Sequence, residues 1–486
     1  MLLTFLAALS GLLLLLLLKT LFFTKQQLPE KIPEPLPLSL EQATERLSRA
    51  IQFKTVSRQN PAEVNYDEFY KLHDFLKTAF PRVHEELRLE KVNELSLLYF
   101  WEGSNPDLKP MMLTAHQDVV PVEPGTEADW KHPPFSGNIT ETHIYGRGTM
   151  DVQSGVMGIL EAAEALLEKG FQPERSIYFG FGHDEEIDGI YGAKAIGELL
   201  KQRGVELEFL VDEGLPVVAE LVEGIKSPVA LVAVAEKGYL SIALSLESEG
   251  GHSSVPQGKT SIARLGKALH RLENHPLPAR FNGLVRETFE ALGRGMSLPF
   301  RIIFANLWLF KWPLKYFLTT LPPTNAAVRT TTASTIFNSG VKENLIPTSA
   351  EAIVNFRIHP NDTAGSVAAH VRRIVKDDDI KIEKKQDFID PSPVSDTQNE
   401  AYRQLSKSIL EIFPEVTVAP SLMVGATDAR HYTEVSKNIY RFFPLRADHS
   451  DLDRVHGTNE RLSIENYGEM IQFYARLIQN GSGAWK

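Results

Sequence analysis

Five short clusters of acids and histidines stand out in this chain: His116-Gln117-Asp118, Asp151 at the end of Gly146-Arg147-Gly148-Thr149-Met150-Asp151, Asp184-Glu185-Glu186, Asp212-Glu213-Gly214 and His456-Gly457-Thr458-Asn459-Glu460. Imidazole and carboxylate donors without any cysteine suit zinc in a catalytic rather than a structural site. Asp151 reads as the carboxylate that two cations share, because a divalent pair about 3.5–4 Å apart needs an anionic bridge. Gly146 and Gly148 let the backbone turn sharply just before it. Each residue alone also has a plain structural reading. Asp151 or Asp212 can cap a helix, His116 can be a core histidine, and Glu185-Glu186 can open a solvated helix. Their placement is what favours the metal site.

The apolar runs 95–101, 111–115, 176–182 and 208–211 alternate with helical stretches at 152–169 and 190–203. This pattern predicts an α/β domain with a mostly parallel central sheet. His116, the 183–186 acids and Asp212 each follow one of these runs directly. Ligands of open α/β sheets bind beyond the carboxyl ends of the strands, so one shared site explains the common address. Upstream, Ser39 and Gln42 form a capping-box pattern that opens a helix toward residue 53, and a helix over 66–80 is expected to stop at Pro81.

After Lys237 the pattern changes. Strand-like 239–247, a polar turn at 250–256, a helix at 259–273, a strand at 350–358, a helix at 363–376 and a strand at 379–385 predict an inserted α+β lid domain over 238–395. Residues 390–395 would be its return hinge, and the helix at 398–413 would lead back into the first domain. The catalytic domain is thus expected in two parts, 39–237 and 396–486. Inside the insert, 298–318 is strongly aromatic, and Pro313 is expected to kink or break a helix there. Packing inside the lid, a homodimer contact and a surface for acyl chains or lipid headgroups are the three readings of that stretch.

Of the 486 residues, 43% are hydrophobic and 23% charged, so most of the chain is globular, with about two to three domains expected. A net charge of −11 argues against a nucleic-acid partner, and the absence of cysteine removes disulfides, thiolate sites and a Cys nucleophile. Residues 1–23 carry no charge before Lys19 and make a helix of about 33 Å, long enough to cross a bilayer. With no basic leader and no clear cleavage site, the segment reads as an uncleaved single-pass anchor, with a removed signal peptide as the alternative. Proline-rich 24–38 would be an extended spacer. The catalytic domain is expected on the extracytoplasmic side, although Lys19, Lys25 and Lys31 bias the other way.

The stretches TAHQDVVPV, IYGRGTMD, GHDEE, FLVDEG, GGHSSVP, ENLIP, NFRIHP, GATDAR and VHGTNE, in this order, resemble the aminoacylase/carboxypeptidase metallopeptidases of family M20 over nearly all of 40–480. The resemblance is strongest to the branch with carboxypeptidase S and the enzymes that join and hydrolyse N-fatty-acyl amino acids. It implies two zinc ions per chain, one held by His116, Asp151 and Asp212, the other by Asp151, Glu186 and His456. It implies that Asp118 orients His116 and that Glu185 is the general base, moving a proton from water to the leaving nitrogen. His252 would polarise the amide oxygen, and Asn344 and Arg357 would hold the substrate carboxylate. Arg357 could instead pair with an acid of its own sheet. Thr427, Asp428 and Arg430 would line the site, and only the HGTNE context selects His456 over His449. Many relatives have Asp-x-Lys where this chain has Asp151-Val152-Gln153, which leaves that lysine's role without a bearer.

The resemblance implies a zinc amidohydrolase acting on N-acyl, foremost N-fatty-acyl, amino acids in either direction, and the anchor and the aromatic stretch favour an apolar acyl group. The alternatives are a carboxypeptidase or dipeptidase for short peptides and a membrane-tethered binding protein on a hydrolase scaffold.

Overall fold

The computed structural model describes residues 1–486 apart from 25–27, 30, 220–226, 257 and 486. Lys25 and the side chain of His449 lie outside what is described. The central sheet has eight strands, in the order Arg88–Val92, Ser96–Trp101, Ile177–Gly182, Met111–His116, Phe209–Val218, Ile439–Ala447, Val229–Glu236, Thr417–Met423. Its middle is parallel, from Ile177–Gly182 across to Ile439–Ala447, whereas the flanks include antiparallel pairs. The sheet is thus mixed, with the expected parallel majority: four of its seven neighbouring pairs are parallel and three antiparallel. Both faces are buried, and alternation divides them. Leu97, Leu113 and Phe179 face the helices Gln153–Glu168 and Ile464–Gly481, while Leu98, Met112 and Tyr178 face Ala193–Gln202.

The Ser39 hydroxyl accepts from the Gln42 N–H and opens the helix Leu40–Ile51. Pro81 ends Tyr66–Ala79 but also begins the helix Pro81–Glu86, at the first-turn position where its missing N–H is harmless. The spacer is tied down at Leu36, whose N–H and C=O both bond the Gln472 side-chain amide at 2.7 Å.

A second, antiparallel sheet has the order Thr331–Ser339, Ser349–Ile358, Gly238–Glu247, Lys381–Lys384. The helices Ser261–Asn274 and Ala364–Val375 pack on it around a separate core. The helices between 283 and 328 do not join that core. Gly283–Gly295 lies on the strand Thr417–Met423, and Phe281, Phe289 and Phe304 gather with Val229 and Ala419 at the edge of the large sheet. The aromatic stretch forms two helices, Leu298–Ala305 and Leu307–Leu318, broken at Asn306, and the second runs through Pro313.

Candidate metal centre

His116 ends its strand level with Gly182, so the turn after Gly182 delivers Glu185 and Glu186 beside the imidazole. The Asp118 carboxylate accepts from both backbone N–H groups of that turn, Glu185 and Glu186, each at 3.2 Å. His116 Nδ1 lies 2.9 Å from the Asp118 carbonyl and 3.4 Å from its carboxylate. That partnership leaves Nε2 for the cluster, where it meets Asp151 at 3.2 Å, Glu213 at 3.3 Å and Glu185 at 3.9 Å. The other Asp151 oxygen lies 2.9 Å from His456 Nε2, which also meets Glu186 at 3.2 Å. One carboxylate therefore stands between two imidazoles, and each imidazole has a further acid of its own.

The loop carrying Asp151 is held from a distance. Glu460, fully buried, accepts from the N–H groups of Gly148, Met150 and Asp151 and pairs with Arg147 at 2.7 Å. Arg147 in turn donates to the His456 and Gly457 carbonyls, which joins the two halves of the centre. The Asp151–Val152 peptide is cis, and His456 has φ 61°.

Asp212 does not enter the cluster. It lies level with Thr114, two residues short of His116, and its carboxylate is occupied by the Thr114 hydroxyl at 2.6 Å and the Ala429 N–H at 2.8 Å. Glu213 takes its place. The pairing with Ile439–Ala447 jumps from Asp212–Arg441 to Leu215–Phe442, and Gly214 has φ 154°. This bulge turns Glu213 off the strand alternation and toward His116. Gly214, inside the strand and directly after Glu213, is the local sign of that bulge, and Glu213 stood in the right cluster.

The electrostatics show what the cluster lacks. Burial disfavours charge on Asp151, yet its bonds to His116 and His456 hold the carboxyl below the usual range. Burial works against His116 as a cation, but the Glu213 carboxylate and bonds to Asp118 and Asp151 keep it well above an ordinary histidine. Bonds to Asp151 and Glu186 push His456 up to about 10. Burial raises Glu213 to about 7 and lifts Glu185 well above the carboxylate range. The Glu186 Oε1 oxygen is buried without a partner. Acids crowd around too few cations, and two overlapping ligand sets can hold an ion: His116 with Glu185 and Glu213, and His116 with Asp151 and Glu186. The donor set fits divalent cations.

The profile of peptidase family M20/M25/M40 matches residues 112–480. The chain belongs to this family. A carboxypeptidase S-like protein of Dictyostelium discoideum is 44% identical, covering 97% of this chain and 92% of the relative. An N-fatty-acyl-amino acid synthase/hydrolase of Danio rerio is 43% identical, covering 91% of this chain and 86% of that protein. Among solved structures, an M20 family metallo-carboxypeptidase of Sulfolobus solfataricus has the same fold, with TM-score 0.63 and 18% identity over 90% of this chain and 98% of that one.

The other expected residues of this M20 chain fall in three places. His252 and Asn344 lie exposed side by side: His252 pairs with Leu345 across a short ladder, and the Ser253 N–H donates to the Asn344 carbonyl. Arg357 stacks over Tyr239 at 5.1 Å and has no acid partner among the described residues, so the reading as a sheet ion pair does not hold. No described hydrogen bond or ion pair links these three to the acid cluster. The Thr427 hydroxyl and Arg441 guanidinium both donate to buried Glu236, Asp428 is buried, and Arg430 bonds Asp188. Gln153 donates to the Thr55 hydroxyl and the Gln117 carbonyl, bracing the sheet beneath the centre.

Proposed function

We propose that this chain is a dinuclear zinc amidohydrolase that cleaves, and in the reverse direction forms, the amide bond of N-fatty-acyl amino acids. The observation that carries the reading is Asp151, with one oxygen 3.2 Å from His116 and the other 2.9 Å from His456. The relatives of Danio rerio and other vertebrates that are named for this activity, 40% identical or more, support the substrate class.

His116, Asp151 and Glu213 would hold one ion, and Asp151, Glu186 and His456 the other. When bound, such a pair supplies Lewis-acid polarisation of the amide carbonyl and acidifies water. Glu185 takes the proton of the attacking water and hands it to the departing nitrogen, so the C–N bond breaks to give a fatty acid and an amino acid. Asp118 fixes both the His116 tautomer and the backbone of the Glu185-Glu186 turn. Arg357, with Asn344, receives the substrate carboxylate on its planar guanidinium, and His252 stabilises the oxyanion as the lid closes. The N-terminal helix Leu2–Phe22 anchors the enzyme in a membrane.

The carboxypeptidase S-like relative favours a second reading, removal of a C-terminal residue from short peptides, which the same carboxylate clamp would serve. Turnover of an N-oleoyl amino acid against that of an amino-blocked dipeptide separates the two. Dipeptide-only turnover would leave the second reading.

A further inference from the structure

The N-terminal helix Leu2–Phe22 is exposed along its length, yet its last turns dock on a specific seat. Thr20 is buried there, against the break between the two aromatic helices. Asn306, fully buried, donates to the carbonyls of Leu16 at 3.2 Å and Ile302 at 2.8 Å, and its oxygen accepts from the Trp308 indole at 3.3 Å. Arg301 donates to the Phe23 carbonyl at 3.0 Å, and Lys19 sits 5.4 Å over the Trp308 ring.

These contacts fix a depth. Lys19 is the first charge after the apolar run and marks the hydrocarbon edge; Trp308 lies at its level, and Asn306 reaches Leu16, about one turn further in. The helix Leu307–Leu318 turns Leu307 and Leu318 inward against the sheet edge. Its outer face is aromatic instead of polar: Trp308 is 52% exposed, Trp312 72%, Tyr316 75% and Phe317 58%. A helix apolar on both faces needs a second apolar medium. Lys311 and Lys315 lie over the Trp312 ring at 6.0 and 5.6 Å, placed to reach headgroups. From 291 to 342 there is no Asp or Glu, in a chain that carries 62 of them. Aromatic rings, flanking lysines and absent acids are the chemistry of a membrane interface. The apolar shaft of the anchor lies alongside, so the same bilayer that receives it meets this face.

We propose that the helices Leu298–Ala305 and Leu307–Leu318 lie in the headgroup–acyl boundary of that bilayer and seat the enzyme on its surface. N-fatty-acyl amino acids then reach the centre from the leaflet rather than from water, a consequence that rests on the proposed function and extends it.

Tryptophan fluorescence of the full chain in phosphatidylcholine vesicles tests the seat. Among the five tryptophans, Trp101 and Trp130 are buried and Trp485 is half-buried, which leaves Trp308 and Trp312 as the exposed pair. Lipids brominated near the headgroup end of the acyl chain should quench more strongly than lipids brominated near the terminal methyl. Acrylamide should lose access on vesicle binding, and both effects should vanish in the double variant Trp308→Phe/Trp312→Phe. Quenching by acrylamide but not by bromolipid overturns the proposal. So does protection from both quenchers with Trp312→Cys trapping disulfide-linked dimers, because a second copy then covers the face. In the second arm, Trp312→Asp/Tyr316→Asp should lower turnover of vesicle-borne N-oleoyl amino acid about tenfold. Turnover of a water-soluble N-acetyl amino acid should stay unchanged, and equal loss on both substrates overturns delivery from the leaflet. If the wild-type chain hydrolysed neither, the functional reading would fall, and the fluorescence would still decide the seat.

Discussion

Replacing Asp212 and Glu213 separately asks which acid of the Asp212-Glu213 pair binds metal. Glu213 lies 3.3 Å from His116 Nε2 in one donor group with Glu185, so its charge would lie within about 4 Å of an ion held between them. Unit charges at that spacing interact by about 4 kcal/mol at an effective dielectric constant of 20. If water competes away two-thirds of this, about 1.4 kcal/mol remains, a tenfold change in affinity. Glu213→Gln should therefore weaken one of two zinc equivalents by about tenfold or more, read by calorimetric titration of chelator-stripped protein. Asp212→Asn should keep both ions. Its NH2 group would face the Thr114 hydroxyl or the Ala429 N–H, leaving a buried donor unmatched at about 1–3 kcal/mol, read as a lower urea midpoint. The reasoning is refuted if Asp212→Asn loses an ion while Glu213→Gln keeps both.

Glu460→Gln should cost about 3–5 kcal/mol of stability, because its Oε1 can still accept from the three backbone N–H groups but its NH2 replaces the oxygen paired with Arg147 and leaves that buried guanidinium uncompensated; a loss below about 1 kcal/mol in urea unfolding would remove Glu460 from that role. Arg357→Met should raise KM for N-acyl amino acids more than it lowers kcat, since the guanidinium has no described acid partner to lose; an unchanged KM would refute the clamp. Burial holds His73 down at about 4, with Nε2 bonded to Gln117. Above the unfolded value of about 6.5, neither state binds the proton. As pH falls from there toward 4, the unfolded chain takes up a proton that the folded chain refuses, so stability drops by about 1.4 kcal/mol per unit. His73→Gln should flatten the fall of the urea midpoint between pH 6.5 and 4, and an unchanged slope would show that His73 does not contribute.

What the sequence made legible was whatever depends on strand ends. His116, Glu185-Glu186 and the 212–213 pair are delivered together by parallel register, and that register is written in apolar runs bounded by polar residues. That Glu213 rather than Asp212 lies beside His116 was legible only through Gly214, because it rests on a pairing jump against a strand more than two hundred residues away. Glu460 was visible as an acid, but its grip on the Asp151 loop needs Arg147 and three backbone donors to converge. The seat of the helix Leu307–Leu318 could not be read either, since a segment apolar on both faces gives no direction to its packing. Pro81 showed the usual ambiguity of a helix boundary: it stopped one helix by starting another.

The most direct test of the two-ion centre is a zinc titration of the chelator-stripped full chain, followed by hydrolysis of an N-oleoyl amino acid. Activity should rise to a plateau at two equivalents per chain, and Glu185→Gln should bind both equivalents while turning over about a hundredfold to ten-thousandfold more slowly. Full turnover without metal, a plateau at one equivalent, or an active Glu185→Gln protein would contradict the account.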